Sequence, residues 1–144
     1  MSLEGATVEG ALLHLAFTLS VRGTPQLYAG EEIGMEGKDD PDSRRDFPGG
    51  FPFDNRSAFT TAGRNPVHHR IYQWTQSWIR LRAEHSAIRN GKLIDIFYDD
   101  DTYVFARKDE KETVLALSIP RMLRDGFKFQ CVRLVWQMTS KLER

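Results

Sequence analysis

The chain has 144 residues, 40% of them hydrophobic, with 20 basic and 20 acidic side chains, a composition typical of soluble globular proteins. A complete (β/α)8 barrel needs roughly 200 to 250 residues or more, so the chain is too short to be one. Zero formal net charge leaves no clustered basic footprint for nucleic acid or an acidic membrane surface.

Over 7–21, Val8, Leu12, Leu15 and Leu19 recur at helical spacing, with Leu13 and Phe17 widening the stripe. This pattern predicts a largely buried helix. The apolar stretch is interrupted by His14, Thr18 and Ser20 and is too short for a membrane span. It also lacks the basic n-region of a signal peptide, which leaves the compartment open. Gly23 stands where a C-terminal cap is expected, Pro25 drives Thr24 into an extended conformation, and 26–29 is predicted as a short strand closed by Gly30.

Residues 31–66 show no sustained period and contain five Gly and four Pro, which predicts a long loop. Phe47, Phe51, Phe53 and Phe59 argue that the loop is ordered, since disordered segments seldom carry so many large apolar groups. Packing that pins the loop is the favoured role for these rings, with stacking on sugar faces the alternative.

From 68 to 89, Ile71, Trp74, Trp78, Leu81, His85 and Ile88 follow alternating threes and fours along one face. One amphipathic helix ending at Asn90-Gly91 is expected. His68-His69 lacks the spacing of a helical metal pair and marks the helix start. Three short β-rich runs follow, at 92–98, 102–108 and 112–118, separated by acidic turns. Asp99-Asp100-Asp101 lacks the spacing of a calcium-binding EF-hand and is expected to form a hairpin turn. A further strand is conceivable at 127–136, where the single cysteine, Cys131, lies in an apolar run. With no second cysteine there is no internal disulfide, and the redox compartment stays open. The shift from helices to strands near Gly91 is the expected domain boundary.

Gly23, Pro25, Gly30 and Glu32 fall in the pattern G-x-P-x-x-x-x-G-x-E. Gly23 ends the helix, Pro25 fixes strand entry, Gly30 permits a sharp exit, and Glu32 places a carboxylate beyond the strand. The run RGTPQLYAGEEIGM at 22–35 resembles the last barrel strand and its exit in enzymes of the α-amylase family, glycoside hydrolase family 13. The flanking segments extend the resemblance over roughly 6–118. ALLHLAFTLS resembles the preceding barrel helix, DDPDSRRDFPGGFPFD the substrate-side loop, YQWTQSWIRLRAEHSAIRNGKL the final barrel helix, and DDTYVFARKDEKETVLAL the opening strands of the carboxy-terminal β-sandwich. The RRDFPGGF run resembles neopullulanase-like and cyclomaltodextrinase-like members in particular.

The resemblance implies an α+β fragment: the last helix-strand-helix of a TIM (β/α)8 barrel followed by antiparallel strands of a truncated β-sandwich. Residues 1–90 would be the end of the barrel with its substrate-side loop at 31–66, and 91–144 the first part of the all-β domain. Asp40 to Arg44 resembles the family's D-P-x-x-R loop, which implies that Asp40 and Arg44 hold glucose hydroxyls of an α-glucan oligosaccharide. A carboxylate accepting from paired hydroxyls and a guanidinium presenting a rigid donor fork suit that task, with a solvated ion pair within the loop the alternative. The paired catalytic carboxyl groups of a retaining glycosidase lie on earlier strands of the family. Glu31, Glu32, Asp39, Asp40, Asp42 and Asp46 do not match those motifs, and the chain alone is expected to be inactive.

No cofactor is assigned; calcium belongs, if anywhere, to the parent enzyme, with no site in this sequence. One strand and two helices cannot close a barrel, so exposed apolar surface should promote self-association. The tail at 120–144 departs from the family pattern. Two other functions stay open at this point: a non-catalytic carbohydrate-binding module using the aromatic loop, and a small α+β interaction domain.

Overall fold

A computed structural model describes residues 7–38, 40–100 and 102–118. The conceivable strand at 127–136, Cys131 and the divergent tail at 120–144 lie outside the described residues. The first element is helix α1 (Val8–Ser20), opened by Thr7, whose hydroxyl accepts from Gly10 N at 3.1 Å. That cap satisfies one of the free N–H groups at the helix start. Leu12, Leu15, Ala16 and Leu19 are buried, as the helical stripe predicts.

Helix α2 (Pro66–Glu84) begins at Asn65, whose Oδ1 accepts from His68 N at 2.8 Å, with Pro66 at the first helical position. His68 and His69 therefore sit in the first turn, as their spacing predicts. Contacts between the helices advance together along both chains. Glu9 pairs with Arg70 at 3.2 Å, Trp74 Nε1 donates to Leu12 O at 2.8 Å, and Arg82 donates to Leu19 O at 3.0 Å. The two helices are thus parallel neighbours. Their shared core comprises Leu12, Leu15 and Ile71 at one end and Ala16, Leu19 and Trp78 at the other.

Parallel helices need a return segment between them, and the chain after α1 supplies it. Gly23 O is held by Arg82 near the end of α2 at 2.7 Å, while Ile33 is buried and its short 3-10 turn (Glu31–Ile33) packs on α2. Between them the chain forms neither helix nor strand, and Leu27 packs on Leu12, Leu15 and Ile71. The expected strand at 26–29 is not a strand here. A strand requires a neighbour to exchange N–H and C=O bonds, and among the described residues none lies beside this segment. Local bonds replace the ladder: Glu31 N donates to Tyr28 O at 3.0 Å, and Tyr28 N donates to Glu31 Oε2 at 3.2 Å. Gly23 and Gly30 bracket the segment at φ +103° and +94°, conformations that L side chains rarely adopt.

The expected single helix over 68–89 is broken. α2 ends at Glu84, His85 is extended (φ −102°, ψ 109°), and a short helix α3 (Ser86–Asn90) follows. The break is compensated by Glu112, which binds the His85 ring at 2.8 Å and accepts from Ala87 N at 3.1 Å. A carboxylate from another element thus caps the N–H groups that the interruption frees.

Strands β1 (Lys92–Tyr98), β2 (Tyr103–Lys108) and β3 (Thr113–Ser118) form an antiparallel meander. Register runs from Lys92↔Lys108 to Tyr98↔Tyr103 and from Tyr103↔Ser118 to Lys108↔Thr113, with a bulge between Asp95 and Phe97. Asp99 N donates to Thr102 O at 2.9 Å, closing the first turn as the acidic tract predicts. One face of the sheet, with Phe105, Arg107, Val114 and Ala116, is buried against the helices. Phe17 of α1 meets Phe105 edge-on at 6.2 Å, and Val114 packs with Ala87 and Ile88 of α3. No helix among the described residues is long and apolar enough to cross a membrane.

Candidate functional site

The long loop between the two helices is ordered by its own polar groups. The Glu32 carboxylate accepts from Gly30 N at 2.8 Å, so both Glu31 and Glu32 are occupied in shaping the turn. Further along, the Asp40–Pro41 peptide is cis and a 3-10 turn covers Asp42–Arg44. That turn brings Asp40 and Arg44 together, with Arg44 Nε 2.8 Å from Asp40 Oδ1. Their side chains remain 65% and 71% exposed respectively.

Asp42 fixes the turn that displays this pair. Its carboxylate takes Arg45 Nε at 2.6 Å and Nη2 at 2.7 Å, and also Lys38 N at 2.8 Å. The Arg45 bond first, then the Lys38 N–H, hold its carboxyl below the ordinary carboxylate range. Asp42 is therefore engaged as a brace, whereas among the described residues the Asp40 and Arg44 side chains bond only each other. Exposed ion pairs contribute little to stability, so a ligand that offers hydroxyl groups can open this one at small cost.

A second polar cluster joins helix α3 to the β2–β3 turn. Ser86 Oγ donates to Asp109 Oδ2 at 2.5 Å, and His85 Nδ1 contacts Glu112 Oε2 at 2.8 Å. Burial raises the Glu112 carboxyl, but bonds from His85 and Ala87 N outweigh it and the net shift is downward. The Ser86 hydroxyl and then the Glu112 N–H lower Asp109 as well. A general acid at neutral pH needs the opposite shift, so these carboxylates serve as acceptors. The Tyr103 phenol is pushed up to about 12 by burial and its bond to Asp95, which removes it as a base near neutrality. Among the described residues no group of three or more His, Cys, Asp or Glu side chains is placed to hold a metal ion.

No family model matches the chain. The chain is 29% identical over 119 residues to a cyclomaltodextrinase from Geobacillus thermopakistaniensis (strain MAS1), a match covering 81% of this chain and 18% of that protein. It is 31% identical over 105 residues to a β/α-amylase from Paenibacillus polymyxa, covering 72% of this chain and 7% of the relative. Among solved structures, the cyclic α-maltosyl-(1→6)-maltose hydrolase of Arthrobacter globiformis, in complex with that sugar, superposes with a TM-score of 0.62 at 27% identity. The superposition covers 80% of this chain and 23% of the hydrolase.

The chain belongs to the α-amylase family.

It spans less than a quarter of the length of each α-amylase-family relative named here. Within that span, Asp40 and Arg44 stand out in the sequence through the D-P-x-x-R resemblance, whereas Arg82 and Arg107, which tie the helices and the sheet together, do not, because their partners are backbone carbonyls without a side-chain signature. Arg82 bonds the carbonyls of Leu19, Gly23 and Ile88, and buried Arg107 bonds those of Ser20 and Gly91. Both cations sit at helix C-termini, where the helix dipole favours positive charge. Of the acidic residues in the loop, Asp39 lies outside the described residues.

Proposed function

We propose that this chain is the substrate-side end of the catalytic barrel, with the start of the all-β domain, of a glycoside hydrolase acting on α-glucans. Asp40 and Arg44 contact glucose hydroxyls, and the catalytic carboxylates belong to other parts of the parent protein. Residues 1–90 form the barrel end with the loop at 31–66, and 91–144 open the β-domain. The cyclomaltodextrinase match, together with the RRDFPGGF run, favours a cyclomaltodextrinase-like or neopullulanase-like parent.

The observation that carries this reading is the exposed Asp40–Arg44 pair on a turn braced by Asp42. Two features of the fold support the barrel assignment. Parallel α1 and α2 joined by a return segment that packs Leu27 on both helices match the connectivity of a helix-strand-helix step in a parallel barrel. The return segment also alternates as a barrel strand does: Leu27 turns to the helices, while Gln26 and Tyr28 are exposed on the side where a barrel interior would lie.

Calorimetric titration with maltoheptaose tests the reading. Wild-type protein binds at millimolar or tighter affinity, Asp40→Ala and Arg44→Ala weaken binding at least fivefold, and no reducing sugar is released. Equal binding by wild type and both variants would refute the assignment of the pair, and turnover by the purified chain would refute the placement of the catalytic groups elsewhere.

A further inference from the structure

Three of the loop's four phenylalanines face outward. Phe53 is 95% exposed, Phe59 66% and Phe51 55%, whereas rings that pinned the loop would be turned inward. Polar groups do the pinning. Asp54 accepts from Gly49 N at 2.7 Å and Phe51 N at 3.0 Å, and Ala58 N donates to Pro48 O at 2.9 Å. Arg64 donates to Ala58 O at 2.8 Å and lies 3.9 Å over the Tyr72 ring of α2. Phe59 leans on half-buried Phe47, with ring centroids 4.7 Å apart. The rings are therefore held out by a braced backbone.

The chemistry of the loop selects an occupant. Residues 40–65 contain no Leu, Ile, Val, Met, Trp or Tyr, and the phenylalanines are interspersed with Gly, Pro, Asp, Asn, Arg, Ser and Thr. A protein interface is built around a continuous apolar core, which this loop lacks. A pyranose ring presents an apolar C–H face and a rim of hydroxyls, and separated phenyl faces among hydrogen-bonding groups complement that pattern. Phe47 follows Arg44 by three residues, so aromatic and polar contacts belong to one segment.

We propose that Phe53 and Phe59 are stacking platforms for the pyranose faces of an α-glucan, extending the contact of Asp40 and Arg44 along the same loop. The proposal rests on the glucan-binding reading above. A ring held out of the water-facing backbone loses little freedom on binding, which favours aromatic residues for this task.

Maltoheptaose titrations of the full chain distinguish the two. Phe53→Ala and Phe59→Ala should each weaken binding roughly three- to tenfold, on the scale of aromatic face contacts, while Phe53→Trp retains or tightens it. If both alanine variants bind like wild type while Asp40→Ala is weakened, the platform is overturned and the polar contact stands. If wild type shows no binding, the glucan-binding reading falls and the platform with it. If sedimentation shows that Phe53→Ala abolishes self-association while sugar affinity is unchanged, the rings cover a second copy of the chain and the platform is likewise overturned.

Discussion

Arg107 Nη1 lies 2.9 Å from the carbonyl oxygen of Ser20, joining the middle strand of the sheet to the last turn of α1. The arginine is 2% exposed, and its second terminal nitrogen holds Gly91 O at 2.8 Å. Burial first, and the neighbouring Arg82 charge second, lower its pKa, yet a guanidinium stays charged under all such shifts. Replacing it by alanine removes both donors and leaves a cavity. We expect Arg107→Ala to destabilise the protein by about 2–4 kcal/mol, read as a drop in urea midpoint. Arg107→Lys should recover only part, because an ammonium cannot reproduce the fork.

The latch between α3 and the β2–β3 turn makes stability depend on acid. Glu112 and Asp109 have lowered pKa values in the folded protein, so their contribution is fully present above their unfolded pKa values. It is lost as pH falls through the folded ones, below the ordinary 4.5 and 3.8. Glu112→Gln should cost about 1–2 kcal/mol at pH 7, and the cost should shrink as pH falls below that range. Melting temperatures of both proteins across pH 7 to about 3 check the sign; a cost that stays constant with pH would contradict it.

At the exit of the return segment, Gly30 has φ +94°, and a Cβ there would lie 2.4 Å from Met35 Sδ. Two penalties are separable. Gly30→Ala should destabilise by about 1–2 kcal/mol, and Met35→Ala in the same chain should relieve part of the clash, its own Cβ still lying 2.9 Å from the new one, and leave the backbone strain. A double-mutant cycle by chemical denaturation gives the coupling. Additive effects would show that Met35 simply swings away.

The face of the return segment that carries Gln26 and Tyr28 is exposed, Tyr28 by 49%, and Ile94, Ile96 and Phe97 on β1 are also exposed. Apolar surface of this kind promotes association. Sedimentation equilibrium should show mass increasing with concentration, and Tyr28→Ser with Ile94→Thr should reduce it. A strictly monomeric wild type would contradict this expectation.

The periodic elements were legible in the sequence. Leu12, Leu15 and Leu19 announce α1, and the acidic tracts after Tyr98 and Lys108 announce the hairpin turns, because each signal is carried by neighbours along the chain. The break at His85 was not, since no Gly or Pro marks it and the carboxylate that compensates it, Glu112, lies 27 residues away. The segment 26–29 has the right residues for a strand but, among the described residues, no neighbour to pair with; pairing is not a property of one segment. Arg107 reads as an ordinary outward charge in a strand, because the carbonyls that hold it have no side-chain signature. Asp40 and Arg44 were singled out only through the resemblance to the family's D-P-x-x-R loop, whereas the outward aim of Phe53 depends on how Asp54 folds the backbone beside it.

The central claim is that the turn bearing Asp40 and Arg44 meets an α-glucan. Titrating the 15N-labelled chain with maltoheptaose while following its backbone amides tests this residue by residue. Saturable shifts centred on Asp40, Asp42, Arg44 and Arg45 are expected. Shifts absent throughout, or confined to the β1–β3 sheet, would contradict it.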